Sequence, residues 1–149
     1  MRTQTKWLIL CSLLYLASAG FGAFYAIRHN LPASFWGFIG VDDVLKSFLT
    51  GNCTPLSASL PYYIFQVICI LMVPQPGRLG TFAVAGLTIL GVMWVVFQIG
   101  EPIVLRAFNP MTFDLVPALI LASNMILGGL MFMFRLLEWS SRRKVGVAF

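Results

Sequence analysis

The stretch Leu79–Gly100 reads LGTFAVAGLTILGVMWVVFQIG and contains twenty-two consecutive uncharged residues between Arg78 and Glu101. As an α-helix it would be about 33 Å long, because each residue adds about 1.5 Å. The hydrocarbon core of a bilayer is about 30 Å thick. A buried helix of a soluble protein rarely reaches this length without a charge, so the stretch predicts a transmembrane helix.

The composition of the whole chain agrees with a membrane protein. Of the 149 residues, 59% are hydrophobic and 10% are charged, whereas soluble domains carry about 25% charged residues. The mean hydropathy is +0.88. A net charge of +5 could indicate a nucleic-acid partner, but the basic residues cluster near the chain ends, as membrane topology requires. We therefore expect a single membrane domain over residues 1–149, with the lipid bilayer as its partner and no nucleic acid.

Cysteine and histidine are too few and too scattered for the common metal and redox sites. Cys11, Cys53 and Cys69 form no CxxC pair, and His29 is the single histidine. A haem held by two histidines, a di-iron carboxylate–histidine site and an HExxH site are excluded within one chain. The sequence predicts no metal and no cofactor.

Three further apolar stretches predict spans, over Trp7–Ile27, Leu56–Val73 and Leu115–Phe134. Two prolines and a glycine in Pro74–Arg78 force a tight turn, so the second and third spans should form an antiparallel helical hairpin. The fold class that follows is all-α, an integral membrane four-helix bundle with spans at about 7–27, 56–73, 79–100 and 115–134.

The first stretch has a competing interpretation as a cleaved signal peptide, with small residues before a cleavage site at Ala19. Against this, the apolar run continues to Ile27, which is longer than a signal peptide needs. Ser18, Gly22 and Ala26 also recur every four residues, a pattern typical of closely packed membrane helices.

A short amphipathic helix is predicted in the first outer loop, over Val41–Gly51. Its apolar residues recur at helical spacing, and Asp42 and Asp43 suit the positive end of a helix. Eleven residues are too few to cross a bilayer, so the helix should lie on the membrane surface or cover the end of the bundle. Next to it, Asn52 begins an N-x-T glycosylation sequence, a weak match because such triplets recur by chance.

Basic residues are distributed unevenly between the two ends of the predicted spans. With four crossings, both termini and the turn between the second and third spans share one side. Seven of the ten basic residues fall on that side, which the positive-inside rule assigns to the cytoplasm. The seven are Arg2, Lys6, Arg78, Arg135, Arg142, Arg143 and Lys144, and the other three are Arg28, Lys46 and Arg106.

Three carboxamides inside the spans are candidate ligand-binding residues: Asn124, Gln98 and Gln66. Asn124 lies at the centre of the fourth span, where a carboxamide is costly unless its hydrogen bonds are made. It should therefore face another helix or a cavity. An interhelical hydrogen bond to the second or third span is the simpler role, and contact with a buried ligand is the functional one.

The predicted outer face collects the other ionisable groups. His29, Glu101 and Asp114 lie at ends of three spans and are candidate catalytic residues of an acid–base site at the membrane surface. The alternative is that charges gather there because lipid excludes them elsewhere. No spacing specifies a nucleophile, so no reaction is assigned. The accompanying charged cluster comprises Arg28, Asp42, Asp43 and Arg106.

Two classes of function remain. The absence of ionisable residues inside the spans disfavours pumps and ion-coupled transporters, and favours a non-catalytic accessory, assembly or partner-binding subunit. Its partners would be other membrane-protein subunits or a second copy. The alternative is a small membrane enzyme or a binder of a hydrophobic ligand, such as a lipid, sterol or quinone. The plan resembles that of small four-helix membrane families, the DoxX-like group among them, in span count and length alone, so no function is carried over.

Overall fold

The computed structural model describes residues 3–31, 43–51, 53–99, 102–111 and 113–146. These residues form helices and connecting segments and contain no strand, so the all-α prediction is confirmed. Predictions for residues 32–42, Asn52 and Glu101 lie outside the described part of the chain. The helices are α1 (Thr3–Arg28), α2 (Val44–Thr50), α3 (Leu60–Met72), α4 (Arg78–Ile99), α5 (Pro102–Ala107) and α6 (Leu115–Gly146).

Three helices are long and apolar enough to cross a bilayer: α1, α4 and the part of α6 over Leu115–Leu137. They match the first, third and fourth predicted spans within a few residues. α6 continues beyond the predicted end at Phe134, because nothing in the basic segment that follows interrupts a helix.

The predicted second span is wrong in its length. Its helix, α3, begins at Leu60 instead of Leu56 and has 13 residues, about 20 Å. Ser59 is its N-cap and Pro61 stands in the first turn, where proline needs no hydrogen-bond partner. The four-helix bundle as predicted is therefore not confirmed, since α3 alone is shorter than the hydrocarbon core.

The residues between α2 and α3 form a buried segment, Cys53–Ser59, without helical structure. Its six residues from Thr54 to Ser59 are all buried. A tight turn, in which Thr54 and Ser57 bond to each other through their backbones, satisfies part of its polar backbone. Leu56 packs in a cluster with Ala26 of α1, Ala107 of α5 and Leu121 of α6. Residues that hydropathy assigns to a helix therefore lie in a buried segment with an irregular backbone.

Helix α6 packs against both α1 and α4, and α3 packs mainly on α4. Small residues allow the close approach. A Cβ on Gly91 of α4 would lie 2.9 Å from the Gly128 carbonyl oxygen, and one on Gly22 of α1 would lie 2.7 Å from the Leu56 carbonyl oxygen. The turn over residues 73–77 joins α3 to α4, with Gly77 at a φ of 75° that glycine tolerates.

Helix α2 is shorter than predicted, since Asp43 is its N-cap and accepts from the Lys46 amide at 3.0 Å. Gly51 ends it with a φ of 107°. Val44 is buried as part of the apolar face, but Leu45 and Leu49 remain half exposed. The helix therefore covers part of the bundle and keeps apolar side chains on its outer surface.

Candidate functional site

Gln66, the carboxamide on α3, joins two helices through its side-chain amide nitrogen. Its Nε2 donates to the Ser12 carbonyl oxygen at 3.1 Å and lies 2.8 Å from the Ser12 Oγ, both on α1. The side chain is 1% exposed. These bonds fix the register of α3 against α1.

Asn124 lies on α6 and is completely buried. Its Nδ2 donates to the Leu56 carbonyl oxygen at 3.2 Å. Leu56 is the first residue of the second span as the sequence predicted it, but it belongs to the buried segment, not to a helix. Asn124 thus supplies a donor to a backbone carbonyl that no helix or sheet can satisfy. Its Oδ1 has no hydrogen-bond partner among the described residues.

Gln98 is buried near the C-terminal end of α4, and its Oε1 also has no partner among the described residues. Among the described residues, no hydrogen bond links the three carboxamides to one another. Gln66 donates to α1, and Asn124 donates to the buried segment. Two free acceptor oxygens on the packed helices α4 and α6 remain as candidate ligand contacts.

Of the candidate catalytic and charged residues that the sequence predicts for the outer face, those that the structure describes are exposed. His29 follows α1, and its ring centre is 4.3 Å from that of Tyr25. Asp114 precedes α6 and accepts from the Val116 amide at 3.2 Å, a contact typical of a helix N-terminus. Glu101 and Asp42 lie outside the described residues. Arg28 and Arg106 are exposed on α1 and α5, and Asp43 caps α2.

An apolar groove of about 460 Å³ lies between α3 and α4 and was not predicted from the sequence. Ala85 and Gly86 of α4 are among its lining residues, and Phe65 and Phe82, which also line it, are exposed. None of the three carboxamides lines it. The complete lining is Pro61, Tyr62, Phe65, Phe82, Ala85, Gly86, Ile89, Leu90 and Met93.

Sequence reasoning also missed three buried hydroxyl groups, those of Tyr15, Ser47 and Ser59. Tyr15 of α1 and Ser59 before α3 are both 0% exposed, and neither hydroxyl has a partner among the described residues. The available signal was Tyr15 itself, since a tyrosine at the centre of a span needs a partner for its hydroxyl. Ser59 gave no signal, because its burial depends on the irregular path of the chain.

No group of three His, Cys, Asp or Glu residues within the described ranges is placed to hold a metal ion. Comparison with protein families, curated proteins and solved structures finds no match to this chain. The chemistry of the described side chains is therefore the basis for assigning a function.

Proposed function

We propose that the chain crosses the membrane four times and that the buried segment and α3 together make the second crossing. Ser12 contacts Gln66, and Gly22 approaches Leu56, so α1 and α3 run antiparallel. In this register, Leu60 packs at about the height of Ser18 on α1. Ser18 precedes Arg28, the last residue of α1, by ten residues, or about 15 Å along the helix axis. In this proposal the buried segment fills the space between the start of α3 and the outer surface of the membrane. Irregular backbone is tolerated there because protein surrounds it.

Both termini lie in the cytoplasm in this proposal. The seven-to-three distribution of basic residues supports it, because the turn at Arg78 and the basic ends share one side. In this proposal α1 is not a cleaved signal peptide, because removal of residues up to Ala19 would take Leu8 and Tyr15 out of the core. Epitope tags at both termini should be digested by protease only after the cell is permeabilised. Digestion of either tag in intact cells would contradict this orientation.

The groove between α3 and α4 supports a function in binding a hydrophobic ligand. Its volume lies within the range of small-molecule sites, about 300–1,000 Å³, and such sites are mostly apolar. Because Phe65 and Phe82 of its lining are exposed on apolar helices, we expect a molecule dissolved in the bilayer to enter it without passing through water. Residues Phe82 to Met93 along α4 span about 16 Å, which suits an elongated chain or fused-ring molecule parallel to the helices.

Binding fits the described side chains better than catalysis. None of the charged side chains whose exposure the structure describes is buried. His29 and Asp114 are exposed and contact different residues, so we do not pair them as the acid and base of one site. We propose a non-catalytic membrane protein that binds a lipid, sterol or quinone in the groove.

Native mass spectrometry of protein extracted in its own lipid tests this proposal. Ala85→Phe places a ring in the groove from a half-buried position and should abolish the retained ligand. Val96→Phe adds the same ring on α4 at a half-exposed site outside the lining, and should retain it. Equal ligand retention in both variants, or none in the wild type, would contradict ligand binding in the groove.

An accessory subunit that docks a partner is the second candidate, favoured by the exposure of α3. Of its thirteen residues, only Gln66 and Cys69 are buried. A partner helix could cover the remaining apolar side chains. The small-residue faces do not support this role, because Gly22, Gly91 and Gly128 are used within the chain. Co-purification of a stoichiometric membrane protein, lost on substitution of Ile68 by a large polar residue, would support it.

A further inference from the structure

The hairpin of α3 and α4, which forms the groove, carries one charge, that of Arg78. Arg78 is the first residue of α4 and is exposed. No other charged residue occurs between Lys46 and Glu101, and no acidic residue occurs between Asp43 and Glu101. The hairpin itself therefore offers this guanidinium no carboxylate, which leaves it available to an external anion.

Arg78 and the groove lie on one face of α4. Phe82 lines the groove and follows Arg78 by four residues, and residues at this spacing are neighbours on a helix, with Cβ atoms about 5–6 Å apart. The row continues at helical spacing through three more lining residues, Ala85, Ile89 and Met93. Arg78 therefore stands one helical turn beyond the end of the groove.

The length of the groove is close to that of a lipid acyl chain. Along α4, the rise from Phe82 to Met93 is about 16 Å. An acyl chain spans half of the hydrocarbon core, which is about 15 Å. Because α4 is long enough to cross the whole core, Arg78 at its first residue lies near one membrane surface. A lipid of that leaflet can therefore place its headgroup beside Arg78 and its chain in the groove.

The lining of the groove favours an acyl chain over a polar ring. The described lining residues are all uncharged, and Tyr62 alone among them has a polar side-chain atom. Tyr62 lies at the end remote from Arg78, because its ring centre is 5.6 Å from that of Trp94, about 24 Å beyond Arg78 along α4. A quinone has carbonyl oxygens on opposite sides of its ring, and most of the groove offers them no donor. A sterol is neutral and gives Arg78 no anion to bind.

We propose that Arg78 and the groove together bind an anionic phospholipid, with the phosphate at the guanidinium and one acyl chain along α4. This names the ligand class of the groove and rests on the proposed function. Arginine suits the phosphate because it donates two parallel hydrogen bonds to it. In the proposed orientation Arg78 faces the cytoplasmic leaflet, where anionic lipids are concentrated.

Native mass spectrometry of delipidated protein, titrated with phosphatidylglycerol or with diacylglycerol of the same acyl chains, tests this site. The wild type should bind phosphatidylglycerol at least about fivefold more tightly than diacylglycerol. Arg78→Gln should remove this preference and leave the affinity for diacylglycerol unchanged, whereas Arg78→Lys keeps the charge and should retain most of it. Ala85→Phe should abolish the binding of both lipids.

Lys6→Gln is the matched control for the loss of one positive charge. Lys6 is exposed on α1 and, in the proposed topology, lies on the same side of the membrane as Arg78. This variant should keep the full preference for phosphatidylglycerol. Equal unfolding midpoints of Arg78→Gln and the wild type without lipid should show that the loss of binding is not a loss of folding.

The outcomes separate this inference from the proposed function. If Ala85→Phe loses both lipids but Arg78→Gln binds phosphatidylglycerol as the wild type does, the groove binds a hydrophobic ligand and the phosphate site at Arg78 is overturned. Binding of phosphatidylglycerol that requires Arg78 but survives Ala85→Phe would overturn the inference too, because the headgroup would then bind without the groove. Equal losses in Arg78→Gln and Lys6→Gln would show attraction by total charge alone, with the same consequence.

Discussion

The carboxamide of Asn124 shows how one side chain can make an irregular chain path possible inside a bundle of helices. The Leu56 carbonyl oxygen lies between α1 and α6, where water cannot reach it. Without a donor, this carbonyl would favour a helical path for residues 53–59 or exclusion from the bundle. Asn124 supplies the donor, and Gly22 leaves the space that the carbonyl occupies.

We expect Asn124→Leu to destabilise the protein by about 1–3 kcal/mol, because it leaves the Leu56 carbonyl buried without a donor. The measurement is thermal or denaturant unfolding in detergent. Gln75→Leu, an exposed carboxamide in the turn between α3 and α4, is the control and should have little effect. A stability of Asn124→Leu equal to that of the wild type would remove this role from Asn124.

The sequence identified Asn124 as important because it is the carboxamide at the centre of an uncharged span. Its partner could not be predicted, since Leu56 offers only a backbone oxygen and every residue has one. Gln66 and Ser12 were both visible as polar residues inside spans, but their pairing depends on the register of α3 against α1. Polar residues are thus easier to find from sequence than the contacts they make.

At the scale of helices, α6 is central because it packs on two neighbours with different small residues. Near α1, Ser123 forms a 2.6 Å hydrogen bond with Ser18. Near α4, the backbones of Gly91 and Gly128 approach closely. The predicted small-residue face on α1 is used in this way inside the chain, and not for a partner.

Two adjacent glycines of α6 give a matched test of this packing. Gly128→Ala should destabilise the protein, because its Cβ would lie 2.8 Å from the Gly91 carbonyl oxygen. Gly129→Ala meets no atom within 4 Å and should be neutral or stabilising by up to about 1 kcal/mol, since alanine favours helices. Unfolding midpoints compare the two variants. Equal effects from both would show that the α4–α6 crossing is not close.

Hydropathy predicted three spans well and misplaced the start of the second. The first, third and fourth apolar stretches are long, and each becomes one helix. In the second stretch, residues 56–59 are apolar or small. Hydropathy therefore predicts that they are buried, but it does not predict whether their backbone is helical. Pro61 stands in the first turn of α3, where proline is tolerated, so the helix begins at Leu60, four residues after the predicted start at Leu56. The groove between α3 and α4 depends on how two helices separate, which no local pattern encodes.

The outer surface of the whole molecule is apolar where the long helices face outward. Phe24 of α1, Phe82 of α4 and Leu119 of α6 are each at least 60% exposed. Lipid accounts for such exposure without aggregation, whereas water would not. The account therefore depends on the number of crossings, which decides which loops share a side of the membrane and at what depth the groove lies.

Cysteine labelling in intact cells tests the four crossings most directly. A membrane-impermeant maleimide is applied to His29→Cys, Gln75→Cys and Met111→Cys, each at an exposed position, in a background without the native cysteines. Four crossings with both termini in the cytoplasm, as proposed, predict labelling of positions 29 and 111 from outside, and of position 75 only after permeabilisation. Labelling of 29 and 75 together from outside, with 111 protected, would show that α3 does not cross and would contradict the account.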